Sequence, residues 1–178
     1  MLRGEDVRAW APQWNDQWLI DAHNGVKSLG IPRIEVEKDF PGVYEWLSKK
    51  EFSPTIQNRA DQGDHWTNLR NCAYWQDFSK PKIIYPNMTK YLPFAYDETG
   101  YFTNQKCFII TGEHLKYLSV VFNSKLFKFC FRQNFPELLG ETFELSKVFF
   151  DKIPIKVPGA AELAVFEPLA GWLAFLHQ

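Results

Sequence analysis

The chain has 178 residues, of which 46% are hydrophobic and 23% charged, and its net charge is −1. These values are typical of a folded globular domain. They exclude an intrinsically disordered chain and a protein that captures polyanions by bulk charge. Three widely spaced cysteines and four scattered histidines exclude a disulfide framework and a zinc knuckle, and they favour a cytoplasmic location. No signal peptide and no membrane span are predicted.

The first half of the chain predicts a few short elements separated by loops. Residues 1–16 are interpreted as a linker, and residues 18–20 as a short apolar strand before an Asn-Gly turn. Helices are predicted over residues 39–50 and 54–59, where apolar side chains recur at helical spacing and a proline opens the second segment.

The second half predicts a different mix of elements. In chain order these are strands over 82–85, 94–96 and 107–110, helices over 115–122 and 125–133, strands over 142–145 and 152–155, and a helix from residue 159. Because strands and helices do not alternate regularly, the predicted fold class is α+β, with a twisted β part and flanking helices.

The charge is unevenly distributed along the chain. Residues 80–132 contain eight basic and three acidic residues, whereas the segments on either side each carry about three net negative charges. A positive middle within a nearly neutral chain fits a local contact with a polyanion such as DNA. A solvated charged face is the alternative that composition alone leaves open.

Residues 68–86 combine one arginine, two lysines and two tyrosines around a predicted strand. Arg70 lies in a polar loop, where its guanidinium can bind a phosphate or a guanine edge, or form an internal ion pair with a nearby aspartate. Lys80 and Lys82 can bind phosphate or begin a solvated strand. Tyr74 and Tyr85 can stack on a sugar, although a buried ring is the commoner use of tyrosine.

Other polar residues complete the set of candidate DNA contacts. Amide and indole side chains in predicted loops suit base readout, and cations of the basic middle suit phosphate contacts. These candidates are Gln62, Trp66, Lys90, Asn104, Lys106 and Arg132. For each of them an ordinary polar surface position is the alternative.

The sequence lacks the motifs of a methyl-transfer or hydrolytic enzyme. It has no glycine-rich S-adenosylmethionine turn, no Asn/Asp-Pro-Pro-Tyr/Phe motif for a flipped adenine, no P-loop, no G-x-S-x-G elbow and no H-E-x-x-H motif. We therefore predict no catalytic residue, no metal and no cofactor for this chain alone.

Several motifs resemble those of one family, the TaqI-like C-terminal specificity domain. The run over residues 68–86 resembles its central motif, residues 115–126 (LKYLSVVFNSKL) resemble its helix pair, and residues 143–155 resemble its closing segment. The resemblance implies an α+β target-recognition domain over residues 17–156, preceded by a linker from a missing catalytic domain. Residues 157–178 are then a C-terminal helical tail.

The same resemblance implies a function. Domains of this kind are the recognition part of adenine-specific DNA methyltransferases, including type IIG enzymes fused to an endonuclease. The implied partners are double-stranded DNA and a covalently attached methyltransferase domain, with S-adenosylmethionine bound in that catalytic domain. Two other functions stay open: a module that docks a methyltransferase to a partner protein, and an S-adenosylmethionine-dependent enzyme.

Overall fold

The computed structural model describes residues 1–177, except for the side chain of Phe149. The chain divides into two compact units. The first consists of Met1–Trp18 together with the chain from Gln76 onward, and the second of Leu19–Trp75. Helices occur in both units and two small antiparallel sheets occur in the first. The predicted α+β class is confirmed.

The larger sheet of the first unit has three antiparallel strands in the order β3-β1-β4. These strands are β1 (Lys82–Pro86), β3 (Ala95–Asp97) and β4 (Cys107–Ile110). All five residues of the central strand β1 are buried. Successive side chains of a strand point to opposite faces, and here Ile83 and Ile84 belong to two separate core clusters. Both faces of the sheet are covered at β1, which explains why residues 83–86 form an unbroken apolar run.

Residues 1–18 are an integral part of this unit, in contrast to the predicted linker over residues 1–16. Leu2 is fully buried and forms a parallel bridge with Thr103, and Trp10 forms another with Ala95. Leu2 also completes the core cluster that contains Ile84. The segment folds onto the sheet because its apolar side chains are buried there.

Three helices of the first unit are α4 (Leu115–Asn123), α5 (Lys125–Asn134) and α7 (Ala160–Leu176). Ser124 separates the first two, and its Oγ accepts a hydrogen bond from the backbone N–H of Phe127, which caps α5. These three helices were predicted from apolar spacing, and their presence confirms that interpretation.

A second sheet in the same unit is made of very short strands in the order β2-β6-β5. They are β2 (Met88–Thr89), β5 (Glu137–Leu138) and β6 (Thr142–Glu144), followed by the helical turn α6 (Lys147–Phe150). The strand predicted over residues 152–155 is absent. Those residues have no regular structure, although their two isoleucines pack against the core.

The second unit has three short helices, α1 (Val36–Asp39), α2 (Pro41–Leu47) and α3 (Ser53–Gln57). No strand forms over residues 18–20, in contrast to the prediction. Asn68 is fully buried, and its Nδ2 donates to the carbonyl oxygens of Ala22, His23 and Ile34 while its Oδ1 accepts from Arg33. One amide therefore ties several loops of this unit together.

Helix α7 leaves an apolar stripe in solvent. Phe166 packs against Tyr117 of α4, with ring centroids 5.3 Å apart. Five other side chains of the helix are largely exposed: Val165, Leu169, Trp172, Phe175 and Leu176. Within residues 1–177, no helix combines the length and the apolar character needed to cross a bilayer.

Candidate nucleic-acid interface

Lys82 lies in the interior and not at the surface that a phosphate contact requires. Its side chain is fully buried, and its Nζ lies 2.5 Å from Asp97 Oδ2 and donates to the carbonyl oxygen of Phe78 at 2.7 Å. The expectation that Lys82 meets DNA is therefore corrected. Its ammonium compensates a buried carboxylate, because an unpaired charge at that depth would be costly.

Tyr85 is also a core residue. It is 4% exposed, and its ring stacks on that of Phe150 with centroids 5.1 Å apart. Burial, and secondarily the charge of Asp151, raises the pKa of its phenol to about 12. The buried-ring alternative holds for Tyr85, so this side chain does not present a stacking surface to DNA.

Two solvent-accessible lysines of the basic middle are paired with acids. Lys80 Nζ lies 2.7 Å from Asp77 Oδ1, and Lys116 Nζ lies 3.8 Å from Glu98 Oε2. Exposed pairs of this kind contribute about 1 kcal/mol or less. Lys80 can therefore exchange its carboxylate for a phosphate at low cost. With Lys82 buried and these two lysines paired, the basic residues of positions 80–132 do not all form one open surface.

Three other cations of that segment do come together. Nη2 of Arg132 lies 3.4 Å from the carbonyl oxygen of Lys90, and Lys128 lies one helical turn before Arg132 on α5. Burial lowers the pKa of Lys128, and the charge of Arg132 lowers it further. Among the described residues, none of the three forms an ion pair with a carboxylate. We call Lys90, Lys128 and Arg132 the cationic cluster.

The charges of Lys128 and Arg132 repel one another, and a bound polyanion relieves that repulsion. An aromatic side chain adjoins the cationic cluster, because Tyr91 follows Lys90 and is 76% exposed. Cations beside an exposed ring suit a phosphate backbone with a neighbouring sugar or base. The cationic cluster is thus an electrostatic feature of the first unit that suits nucleic-acid binding.

A groove of about 410 Å³ opens elsewhere on the first unit, between the N-terminal turn and the turn at residues 104–106. Its polar lining includes Arg3, Asn87, Asn104 and Lys106. Asn104 Oδ1 accepts from the backbone N–H of Lys106 at 3.1 Å, and the backbone N–H of Asn87 donates to the carbonyl oxygen of Lys106 at 2.9 Å. The predicted residues Asn104 and Lys106 are therefore neighbours in one concave site.

Residues 87–90 connect this groove to the cationic cluster. Asn87 lines the groove and Lys90 belongs to the cluster, so the two sites flank the two ends of β2. Thr89 pairs with the buried Phe143, so Met88 points to the other side of β2, toward solvent, and Lys90 is exposed as well. Met88 itself pairs with Glu144, which places one carboxylate on that side.

In the second unit, Arg70 and Tyr74 are both exposed to solvent, as the predicted contact with DNA requires. Arg70 is exposed and, within the described part of the chain, forms no ion pair with a carboxylate, so the internal ion pair is not observed. Tyr74 is 55% exposed. Its pKa is raised by partial burial and then by Cys72, while the charge of Arg70 acts in the opposite direction.

Gln62 and Trp66 differ in what they offer to a ligand. Gln62 is exposed and its backbone forms a bridge with Leu69. Trp66 is half-buried against the rings of Tyr44 and His65, whose centroids lie 5.6 and 5.5 Å away. The indole therefore packs within its own unit.

No cluster of His, Cys, Asp and Glu among residues 1–177 could hold a metal ion.

Three residues of these sites were not among the predicted contacts: Arg3, Asn87 and Lys128. Arg3 lies in the segment predicted as a linker, and no role was predicted for Asn87. For Lys128 a signal was available, since it precedes Arg132 by four residues on a predicted helix, and residues at that spacing share a helix face. Nothing local in the sequence marks the other two.

The sequence was compared with known proteins and protein families. A search of curated proteins found no match. A family model, described as the TaqI-like C-terminal specificity domain, matches residues 1–155 of the 178. The matched segment contains the groove and the cationic cluster and ends before α7. The chain therefore belongs to the family of TaqI-like C-terminal specificity domains, which have a DNA-recognition role in restriction–modification methyltransferases.

Proposed function

We propose that this chain binds duplex DNA and selects the sequence on which a covalently attached catalytic domain methylates adenine at N6. If an endonuclease is fused to the same polypeptide, as in type IIG enzymes, the chain would direct its cleavage to the same sites. The chain's own contribution is binding, and this binding takes place in the cytoplasm. S-adenosylmethionine belongs to the attached domain.

The observation that carries this proposal is the cationic cluster. Lys90, Lys128 and Arg132 lie together without a carboxylate partner among the described residues, in a chain whose net charge is −1. Such a chain does not attract DNA through its total charge, so its affinity depends on local contacts. The second unit supports the same function through exposed Arg70 and Gln62.

The proposal is tested by titrating the 178-residue chain with a mixed-sequence duplex and following fluorescence anisotropy. Each neutralised phosphate releases counterion, so three phosphate contacts give a log–log salt slope of about −3 and an affinity loss on the order of 40-fold between 50 and 200 mM salt. Replacing Arg132 with Gln should weaken binding and make the slope shallower by about one.

Lys147→Gln is the matched control for charge. It removes one positive charge from an exposed lysine that already pairs with Asp151, and it should leave both the affinity and the slope nearly unchanged. Absence of duplex binding at 50 mM salt (an order-of-magnitude choice) would contradict the proposed function. Equal effects of the two substitutions would show that only total charge matters.

The catalytic part of the proposal needs the full-length polypeptide. Sequencing methylated DNA from cells that express the full-length gene should reveal N6-methyladenine in one sequence context. Calorimetry of the 178-residue chain with S-adenosylmethionine should show no binding. Heat of binding in that titration would instead favour an enzyme contained in this chain.

One observation favours the alternative function, a module that docks a methyltransferase to a partner protein. The stripe on α7 exposes Trp172 and Phe175 by 69% and 73%, and it lies beyond the segment that matches the family. Replacing Trp172 and Phe175 with Ser tests whether this stripe takes part in DNA binding. If the chain works through DNA alone, these substitutions should leave the affinity for duplex unchanged.

A further inference from the structure

The groove on the first unit contains a side chain whose polar atoms have no assigned use. Asn87 is held by its backbone on both sides, since its N–H donates to Lys106 and its carbonyl oxygen accepts from the backbone N–H of Leu145, each at 2.9 Å. Its side chain is half-buried and lines the groove. Among residues 1–177, no hydrogen bond to its carboxamide occurs, so both of its N–H donors are open to a ligand.

Arg3 is positioned at the same groove with part of its guanidinium uncommitted. Its Nε donates to Gln17 Oε1 and its Nη1 to Glu5 Oε1, both at 3.1 Å. These two contacts hold the planar group in one orientation. Within the described residues Nη2 makes no hydrogen bond, which leaves that edge to donate to an anion.

Lys106 contributes the second cation. It is exposed, and its backbone is fixed by two contacts: its carbonyl oxygen accepts from Asn87, and its N–H donates to Asn104 Oδ1. This Asx-type contact engages the carboxamide oxygen of Asn104 and leaves its amide N–H groups available as donors. The groove thus presents donors from Arg3, Asn87, Asn104 and Lys106, and one carboxylate, Glu5.

The shape of the groove decides which part of a duplex it suits. Base edges lie recessed in the grooves of DNA and are reached by protruding side chains, whereas the phosphodiester backbone is a convex ridge. A concave site lined with donors is complementary to that ridge. Asn87 also lies three residues before Lys90, so the groove and the cationic cluster flank the two ends of β2.

We propose that this groove seats one backbone phosphate of the duplex, held by the carboxamide of Asn87, the guanidinium of Arg3 and the ammonium of Lys106. This site deepens the proposed function and rests on it. A seat of fixed geometry determines the register of the protein on DNA, while the cationic cluster supplies less directional attraction. Glu5 opposes the bound phosphate and also orients Arg3.

The test uses duplexes in which single phosphates are replaced by neutral methylphosphonates. The wild-type 178-residue chain should lose about tenfold in affinity at one phosphate of its preferred duplex, the size of a charge-assisted hydrogen-bond contact. Lys106→Gln and Asn87→Ala should each weaken binding to unmodified DNA by a similar factor. At that one phosphate, both variants should then be less sensitive to the methylphosphonate than the wild type, because only two of the three groups that hold it remain.

Asn58→Ala is the matched control, because Asn58 is an exposed asparagine of the second unit, and it should retain full methylphosphonate sensitivity. Glu5→Gln should increase affinity about threefold, because removing a negative charge near the phosphate outweighs the weaker orientation of Arg3. Asn87→Asp should weaken binding more than Asn87→Ala, because it adds a charge that repels phosphate.

Three results would overturn the phosphate seat. The first is additivity: if the affinity losses from Lys106→Gln and from a methylphosphonate added up at every phosphate, the lysine would contact no particular phosphate. If replacing an adenine with 7-deazaadenine weakened the wild type but not Asn87→Ala, Asn87 would be a base-reading residue and not a phosphate ligand. If no duplex bound at all, the proposed function would fail together with this site.

Discussion

Lys82 and Asp97 lie directly opposite each other on β1 and β3, and their side chains form an ion pair 2.5 Å long with exposures of 0% and 1%. Asp97 Oδ2 also accepts from the backbone N–H of Tyr101, and Oδ1 accepts from that of Thr99. The carboxylate therefore organises the turn after β3, and the lysine compensates its charge. The pair is structural, which explains why a lysine occupies the middle strand of the sheet.

Replacing Lys82 with Met should strongly destabilise the protein, because it leaves Asp97 buried without a compensating charge. Removal of one partner from a buried pair costs about 3–5 kcal/mol. Urea denaturation followed by tryptophan fluorescence measures the free energy of unfolding. Lys80→Met, at an exposed lysine, should change it by less than about 0.5 kcal/mol. Equal effects at the two positions would contradict the structural role of Lys82.

Tyr85 should make stability depend on pH at the alkaline end. Its folded-state pKa of about 12 lies above the ordinary value of 10.0, so as pH rises past 10 the unfolded chain loses a phenol proton that the folded chain keeps. The stabilisation is therefore fully present below pH 10 and lost as pH approaches 12. Between pH 8 and 11, wild type should lose about 1 kcal/mol more than Tyr85→Phe. If the free energies of unfolding of the two proteins changed in parallel over this pH range, the predicted contribution of Tyr85 would be contradicted.

The three cysteines should differ in reactivity toward a thiol reagent. Burial, with a smaller effect of Asp6, raises the pKa of Cys107 to about 12, which keeps its thiol protonated and shielded. Cys130 is exposed on α5. In a titration with Ellman's reagent at pH 8, Cys130 should react at once, whereas Cys107 should react only after unfolding. Cys130→Ser should remove one thiol from the fast phase, and fast labelling of Cys107 would contradict its burial.

Asn123 should be important for stability, because it is buried and its carboxamide bonds to the backbone of Phe94. Its carboxamide donates to the carbonyl oxygen of Phe94 at 2.7 Å and accepts from the backbone N–H of Phe94 at 3.2 Å. Asn123→Ala leaves the buried backbone N–H of Phe94 without a partner, whereas the carbonyl oxygen keeps the N–H of Trp10 at 3.1 Å, so the expected cost is about 1–3 kcal/mol in the free energy of unfolding. Asn134→Ala, at an exposed position, should have little effect in the same denaturation experiment.

Helices α4 and α5 were predictable because their apolar side chains recur at helical spacing and Ser124 provides a cap between them. Strands β1 and β4 were predictable from short β-branched runs. The strand expected over residues 18–20 does not form, although its apolar residues favour one. A strand needs a hydrogen-bonded neighbour, and no property of those three residues specifies one.

The candidate interface was less predictable than the helices. Lys80, Lys82 and Lys90 look alike in sequence, yet the first is exposed and paired with Asp77, the second is buried, and the third lies with two other cations. The motifs that resemble the family were sufficient for its recognition, and residues 1–155 match it. They did not indicate which side chains share a surface.

Local periodicity, capping and family motifs were enough to establish the α+β class, the main helices and the family, because each depends on residues close together along the chain. Tertiary structure alone decided that Lys82 is buried, that Arg132 reaches Lys90 across 42 positions and that Asn87 lines a groove with Arg3. Whether a charged side chain meets solvent, a carboxylate or another cation depends on desolvation and on distant neighbours, and these are established only when the chain has folded.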